Sequence, residues 1–166
     1  PVSGEPKFGL LPLMLGSFKV TLIAILIGSP LAILAALFTS SFAPRWSCEY
    51  LKPAIELLAG FPSVVIGFFA LVTLATMLQN TFGIQYRLNV LLGGIAMALA
   101  VIPIVYTVAE DALTAVPRFM TEASLALGAT KWQTALFVTL PAATPGVFAA
   151  ILLGFGRAFG ETMIVL

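Results

Sequence analysis

Arg157 and Glu161 are the residues whose types and spacing most clearly invite chemistry. They follow an apolar run in which Thr144-Pro145 reads as an N-cap with proline at the first helical position. On such a helix Arg157 falls roughly 18 Å along, near the middle of a bilayer. Glu161, four residues on, shares its face and is within reach of an ion pair. Gly154, Gly156 and Gly160 surround the two and permit a bend or the close approach of a neighbouring helix. A guanidinium at that depth is costly unless it is paired or wetted. Two readings stand. The pair locks helices together, or Arg157 lines an aqueous path for an anion, where its planar donor fork suits an oxyanion and Glu161 prevents too tight a grip. Lys19 divides in the same way: it snorkels to the nearer interface, or it faces the bundle interior or an anion path. Ser63 follows Phe61-Pro62 at a break after Gly60, which is either a plain turn or irregular backbone beside a water-filled cavity.

Much other chemistry is excluded. The chain has no His and a single Cys, Cys48, and no Gly-rich phosphate loop followed by Lys-Ser/Thr. A metal site, a cofactor site or a nucleophilic triad therefore has no residues to build it. A net charge of +1 makes no electrostatic case for nucleic acid. Hydrophobic residues make up 60% and charged residues 9%, where a soluble domain carries about 25% charged. With a mean hydropathy of +1.10, the chain is an integral membrane protein.

The elements that must position these residues follow from four charge-free stretches, 20–44, 57–86, 88–109 and 132–156. Each exceeds the roughly 20 residues that cross a bilayer as a helix. The first span is expected over about 9–40, kinked at Pro30; the second over about 62–80; the third over about 88–115, kinked at Pro103. Between the first two, Arg45, Glu49, Lys52 and Glu56 recur at three- and four-residue steps. They predict an interfacial amphipathic helix ending at Gly60, with these charges on a solvated face. Glu110 and Asp111 lie about 33 Å along the third span, at the far interface, and are expected to be solvated.

Between the third and fourth spans lies Glu122-Ala123-Ser124-Leu125-Ala126-Leu127-Gly128, with Val138-Thr139-Leu140-Pro141 after it. Pro117 suits the first position of a short helix. Gly128 suits a left-handed end to it. Thr130 and Gln133 have capping-box spacing for a second helix, which Pro141 closes. Residues 117–141 thus read as a helical hairpin outside the hydrocarbon. Arg45, Lys52, Arg118 and Lys131 on one side outnumber Lys7 and Arg87 on the other, which places the hairpin in the cytoplasm.

These residues carry a resemblance. Glu122-Ala-Ser, Gly128 and Val138-x-Leu140-Pro141 are similar to the EAA loop of permease subunits of type I ABC importers. In that family the pattern is Glu-Ala-Ala, three residues, Gly, nine residues, Ile, one residue, Leu-Pro. Ser124 stands for the second Ala and Val138 for Ile. Phe61-Pro-Ser-Val-Val-Ile-Gly67 and Gly156-Arg-Ala-Phe-Gly-Glu-Thr-Met163 resemble segments of the phosphate-specific permeases. The Met-Ile-Val ending and Ala109-Glu-Asp-Ala112 lean to the first of their two permease subunits.

The resemblance implies an all-α, MetI-like bundle with four spans in this chain, in a bacterial inner membrane. Glu122, Ala123, Ser124, Leu125, Ala126 and Gly128 would couple it to cytoplasmic ATP-binding subunits, and Arg157, Glu161, Ser63 and Lys19 would line the path. A second permease subunit, a periplasmic phosphate-binding protein and phosphate itself would be the other partners, with hydrolysis left to the ATP-binding subunits. Residues 1–8 are expected to be a periplasmic lead and 9–166 a permease domain that continues in a longer polypeptide, since the family has spans before and after these segments.

Overall fold

The computed structural model describes residues 10–83, 89–161 and 164. The expected lead 1–8 with Lys7, and Arg87, Thr162 and Met163, lie outside the described residues. The described residues form helices: α1 (Leu10–Ser41), α2 (Arg45–Ala59), α3 (Ser63–Phe69) and α4 (Ala75–Phe82), α5 (Val90–Thr114), α6 (Arg118–Ala126), α7 (Lys131–Thr134), α8 (Leu140–Ala142) and α9 (Thr144–Gly160). Wider π turns over Ala70–Leu74 and Ala135–Thr139 join α3 to α4 and α7 to α8. Three helical stretches, Leu10–Ser41, Ser63–Thr81 and Val90–Thr114, are long and apolar enough to cross a membrane; Lys131–Ala142 and Thr144–Gly160 make a fourth if their bent pair is one span.

The bundle is organised on α5, which packs against α1, α2, α3 and α9. In lipid the tails are as apolar as the side chains, so helices associate by close packing rather than by escape from water. The contact faces are accordingly small. On α1, Val20, Ala24, Gly28, Ala32 and Ala36 recur every four residues and are buried. On α9, Val147, Ala150, Gly154 and Ala158 repeat at three- and four-residue steps and are buried too. Between them α5 presents Ala98, Val101, Val105 and Ala109. The large residues Leu26, Leu34, Phe68 and Phe148 point outward. Pro30 and Pro103 each lie inside a helix that continues past them.

The junction before α9 differs from the reading of the sequence. The second arm of the hairpin ends one residue past the expected Pro141, and Thr144 does not cap the last helix. The arm runs on through the π turn to Ala142 and meets α9 at a bend of 71°. Thr144 is already helical, its hydroxyl donating to the Leu140 carbonyl at 3.2 Å, and the capping position falls on Ala143 with no side-chain cap. The reason is the spacing of two prolines. Pro145 has no N–H to give to the Pro141 carbonyl, so the ladder across the junction loses a bond and the chain bends there.

Of the three glycines near Arg157, only Gly154 serves a close approach. A Cβ on it would meet Val105 Cγ2 at 2.5 Å and Val101 Cγ1 at 3.0 Å, whereas Gly156 and Gly160 face open space. Gly154→Leu is therefore expected to lose about 1–3 kcal/mol of stability by overpacking the α5–α9 contact. Gly156→Ala is expected to be tolerated, both compared by thermal unfolding in detergent.

Candidate functional site

The hairpin forms as two helical arms held by local bonds. The first arm, α6, starts after Pro117, whose extended backbone (φ −59°, ψ 131°) puts it at the capping position rather than inside the first turn. The arm ends where Gly128 takes φ +86°, a left-handed conformation that a side chain resists. The Gly128 and Ala129 N–H groups donate to the Leu125 and Ser124 carbonyls at 3.0 and 3.2 Å, satisfying the helix end. Thr130 and Gln133 close the expected capping box. The Gln133 N–H donates to Thr130 Oγ1 at 3.3 Å, and the Thr130 N–H donates to Gln133 Oε1 at 2.8 Å.

Ser124 ties the two arms through its hydroxyl, 3.0 Å from Thr134 Oγ1. The residue that departs from the family's second Ala is thus the one that cross-links the hairpin. Trp132 stacks at a tilt on Phe42, ring centroids 4.4 Å apart, and fixes the second arm to the end of α1. The outer strip of the hairpin, Glu122, Ala123, Leu125, Ala126 and Gly128, is exposed.

The four candidate path residues are more scattered. Arg157 is exposed in the last turn of α9. Glu161 caps that helix with extended backbone (φ −80°, ψ 124°), so the helical face expected to carry both residues stops at Gly160. Ser63 opens α3 behind Pro62, and Lys19 is exposed on α1. Among the described residues no hydrogen bond or ion pair links Lys19, Ser63 and Arg157 to one another. A cleft of about 630 Å³ lies between α1, α3 and the start of α5. Ser17, Val20, Val64, Asn89 and Ile164 are among the residues lining it. It borders the chain neighbours of Lys19 and Ser63, and Ile164 follows Glu161 by three residues.

Two solvation expectations are corrected. Glu110 is not solvated at an interface but buried, its side chain 4% exposed, and it takes Lys52 Nζ at 2.5 Å. Lys52 is also 3.9 Å from the exposed Asp111 carboxylate. Nor is Lys52 on a solvated face with Glu49 and Glu56, which are exposed. The half-buried residues of α2, Cys48, Lys52, Ile55 and Ala59, recur at steps of four, three and four and form a stripe toward the bundle. Lys52 belongs to both helical series. The charge spacing suggested the wet one; the apolar partners at 48, 55 and 59 were the signal for the other. The hydrogen bond to Glu110 raises the Lys52 pKa above its ordinary 10.5, against a smaller desolvating effect of partial burial, with Asp111 adding to the rise.

With that geometry in place, comparison with known proteins gives a consistent answer. A family profile described as binding-protein-dependent transport system inner membrane component matches residues 28–166. The chain is 41% identical over 165 residues to a probable ABC transporter permease protein, YqgH, of Bacillus subtilis, covering 99% of this chain and 53% of the relative. It is 32% identical over 180 residues to the phosphate transport system permease protein PstC of Xylella fastidiosa, covering 97% and 56%. Among solved structures, a chain of the MetNI methionine ABC transporter in inward-facing conformations superposes with a TM-score of 0.63 at 22% identity, covering 92% of this chain and 68% of that one.

The fold, helical among the described residues, is thus MetI-like, the architecture of an ABC permease. The chain belongs to the binding-protein-dependent transport system inner membrane component family and is a multi-pass protein of the bacterial inner membrane. It spans about half the length of the curated relatives it matches.

The Lys52 pair carries a pH dependence of known sign. A lysine whose folded pKa is raised contributes stability fully below its unfolded value of 10.5, and loses it as pH climbs through the folded value. Lys52→Met should be less stable than wild type at pH 8. The gap should close as pH rises beyond the raised pKa, followed by chemical denaturation in detergent at each pH.

Proposed function

We propose that this chain is the permease core of an ATP-driven phosphate importer. It would form half of the translocation path and receive motion through the 117–141 hairpin from cytoplasmic ATP-binding subunits. The observation that carries this reading is the hairpin. Its exposed strip from Glu122 to Gly128 is stiffened by a capping box, a left-handed glycine and the Ser124–Thr134 bond, and joined to the end of α5 by three residues. A surface built so rigidly and left uncovered suits docking by a partner that pushes and pulls. A second permease subunit would complete the path, and a periplasmic phosphate-binding protein would deliver the cargo. ATP binding would draw two such hairpins together and turn the path from inward- to outward-facing. The permease responds because its two states differ in their contact with the ATP-binding subunits.

Phosphate is favoured over other cargo by the Gly156-Arg157-Ala-Phe-Gly-Glu161 segment and by the phosphate permeases among the relatives. The same architecture would also serve sulfate or molybdate, because an arginine fork does not choose among oxyanions by charge alone. The test is reconstitution of the full-length permease with its partners in proteoliposomes. ATP-dependent phosphate uptake should resist an excess of sulfate or molybdate; competition by either reassigns the cargo.

Arg157→Ala should lower uptake about tenfold or more, the scale of one lost charge-assisted hydrogen bond. Unchanged uptake removes Arg157 from the path. A cysteine at Ala126 should crosslink to the ATP-binding subunit. Crosslinking instead to a periplasmic protein inverts the topology.

A further inference from the structure

The Lys52–Glu110 pair sits outside both the hairpin strip and the candidate path, and its place in the chain is informative. Glu110 and Asp111 form the turn of α5 from which the hairpin is hung. The Glu110 carbonyl accepts from Thr114 Oγ1 at 2.9 Å and the Asp111 carbonyl from the Ala115 N–H at 3.0 Å. The Val116 N–H then bonds Leu113 at 3.4 Å, and α6 begins at Arg118. The link from carboxylate to hairpin is therefore three residues long, Ala115 to Pro117, and the first two bond back to α5.

The far side of the pair is built the same way. Lys52 lies at mid-length on α2. At the end of α2 the Gly60 N–H bonds Glu56 and Leu57, both at 3.1 Å, and the Phe61 N–H bonds Leu58 at 3.3 Å. Past Pro62, the Val65 N–H bonds the Pro62 carbonyl at 2.9 Å. Ser63, the first residue of α3, therefore follows α2 after a three-residue turn, Gly60 to Pro62.

Among the described residues little else of polar character fixes α2 to the bundle. Its start at Pro44 has no side-chain cap, and Cys48 Sγ reaches the Thr39 carbonyl only at 3.7 Å. Trp46, Tyr50, Leu57 and Leu58 are exposed. Against this, Glu110 is a carboxylate taken out of solvent, and its counter-charge comes from α2.

We propose that Lys52 and Glu110 form the joint through which movement of the hairpin reaches α2 and, through α2, the start of α3. The pair acts as a positioning contact and touches no cargo. The proposal rests on the reading of the hairpin as the coupling element, and it assigns a route by which that element moves the second span.

The test uses the full-length permease with its partner subunits and reads phosphate taken up per ATP hydrolysed. Lys52→Met and Glu110→Gln should each lower that ratio about tenfold, the scale of coupling carried by residues that contact neither ligand. Lys52→Arg, which keeps the charge, should restore most of it. The deciding variant is the neutral double K52M/E110Q. It leaves no unpaired charge buried, so a purely structural pair would recover the wild-type ratio in it, and that result overturns the proposal. A ratio that stays low in a correctly assembled double variant supports it.

A nitroxide on a cysteine replacing exposed Glu49 gives a readout that needs no transport. Its spectrum should sharpen in the double variant as α2 loosens, and an unchanged line shape counts against the joint. Absence of ATP-dependent uptake in wild type would strike the importer reading alone, leaving the spectrum to judge the joint.

Discussion

Close packing of small residues against α5 is the constraint from which the rest of the structure follows. A bilayer supplies no hydrophobic drive for one apolar helix to find another, so α1 and α9 must gain their contact from shape. The alanine and glycine stripes at 20–36 on α1 and the stripe at 147–158 on α9 are that shape. With α5 buried between them, its end becomes a fixed point, and both the hairpin and α2 are attached there. The two π turns and the 71° bend lie in α3–α4 and in the stretch from the hairpin to α9. Irregular backbone of this kind is frequent where helices serve a function.

The hairpin and the ion pair use different physics for related ends. The hairpin turn is held by local bonds from the Gly128, Ala129, Thr130 and Gln133 N–H groups while its outer strip is exposed to solvent. The Lys52–Glu110 contact joins separate elements. A buried carboxylate makes that contact selective, since the Glu110 side chain is out of solvent and the half-exposed Lys52 supplies its counter-charge. On the proposed coupling, hairpin, short link and selective joint would together make a route from the hairpin's exposed strip to the second span.

Most of this was legible in the sequence where the signal is local. Composition and charge-free length gave the class and the first three spans. Pro117, Gly128, Thr130 and Gln133 marked the hairpin turn by turn, because caps and left-handed glycines are decided within a few residues. What failed to show was non-local. Glu110 and Asp111 look alike in sequence, and only the fold turns one toward α2 and the other to solvent. Lys52 belongs to two helical series at once, and the half-buried one became visible only with α5 beside it. The bend at Ala143 arises from Pro141 and Pro145 acting jointly, where each alone suggests a clean boundary. The candidate path residues are the least legible, because Arg157 and Glu161 were spaced for a helix that ends between them.

The central claim is that the hairpin, the end of α5 and α2 travel as one body. Pulsed dipolar distances between spin labels at Ala126 and Glu49, in the full-length permease bound to its ATP-binding subunits, test it most directly. The account predicts the same Ala126–Glu49 distance distribution with and without ATP, while the distance between Ala126 and the hairpin of the second permease subunit shortens. A shift in the Ala126–Glu49 distribution on ATP binding would contradict it, for the hairpin would then be moving against α2 rather than carrying it.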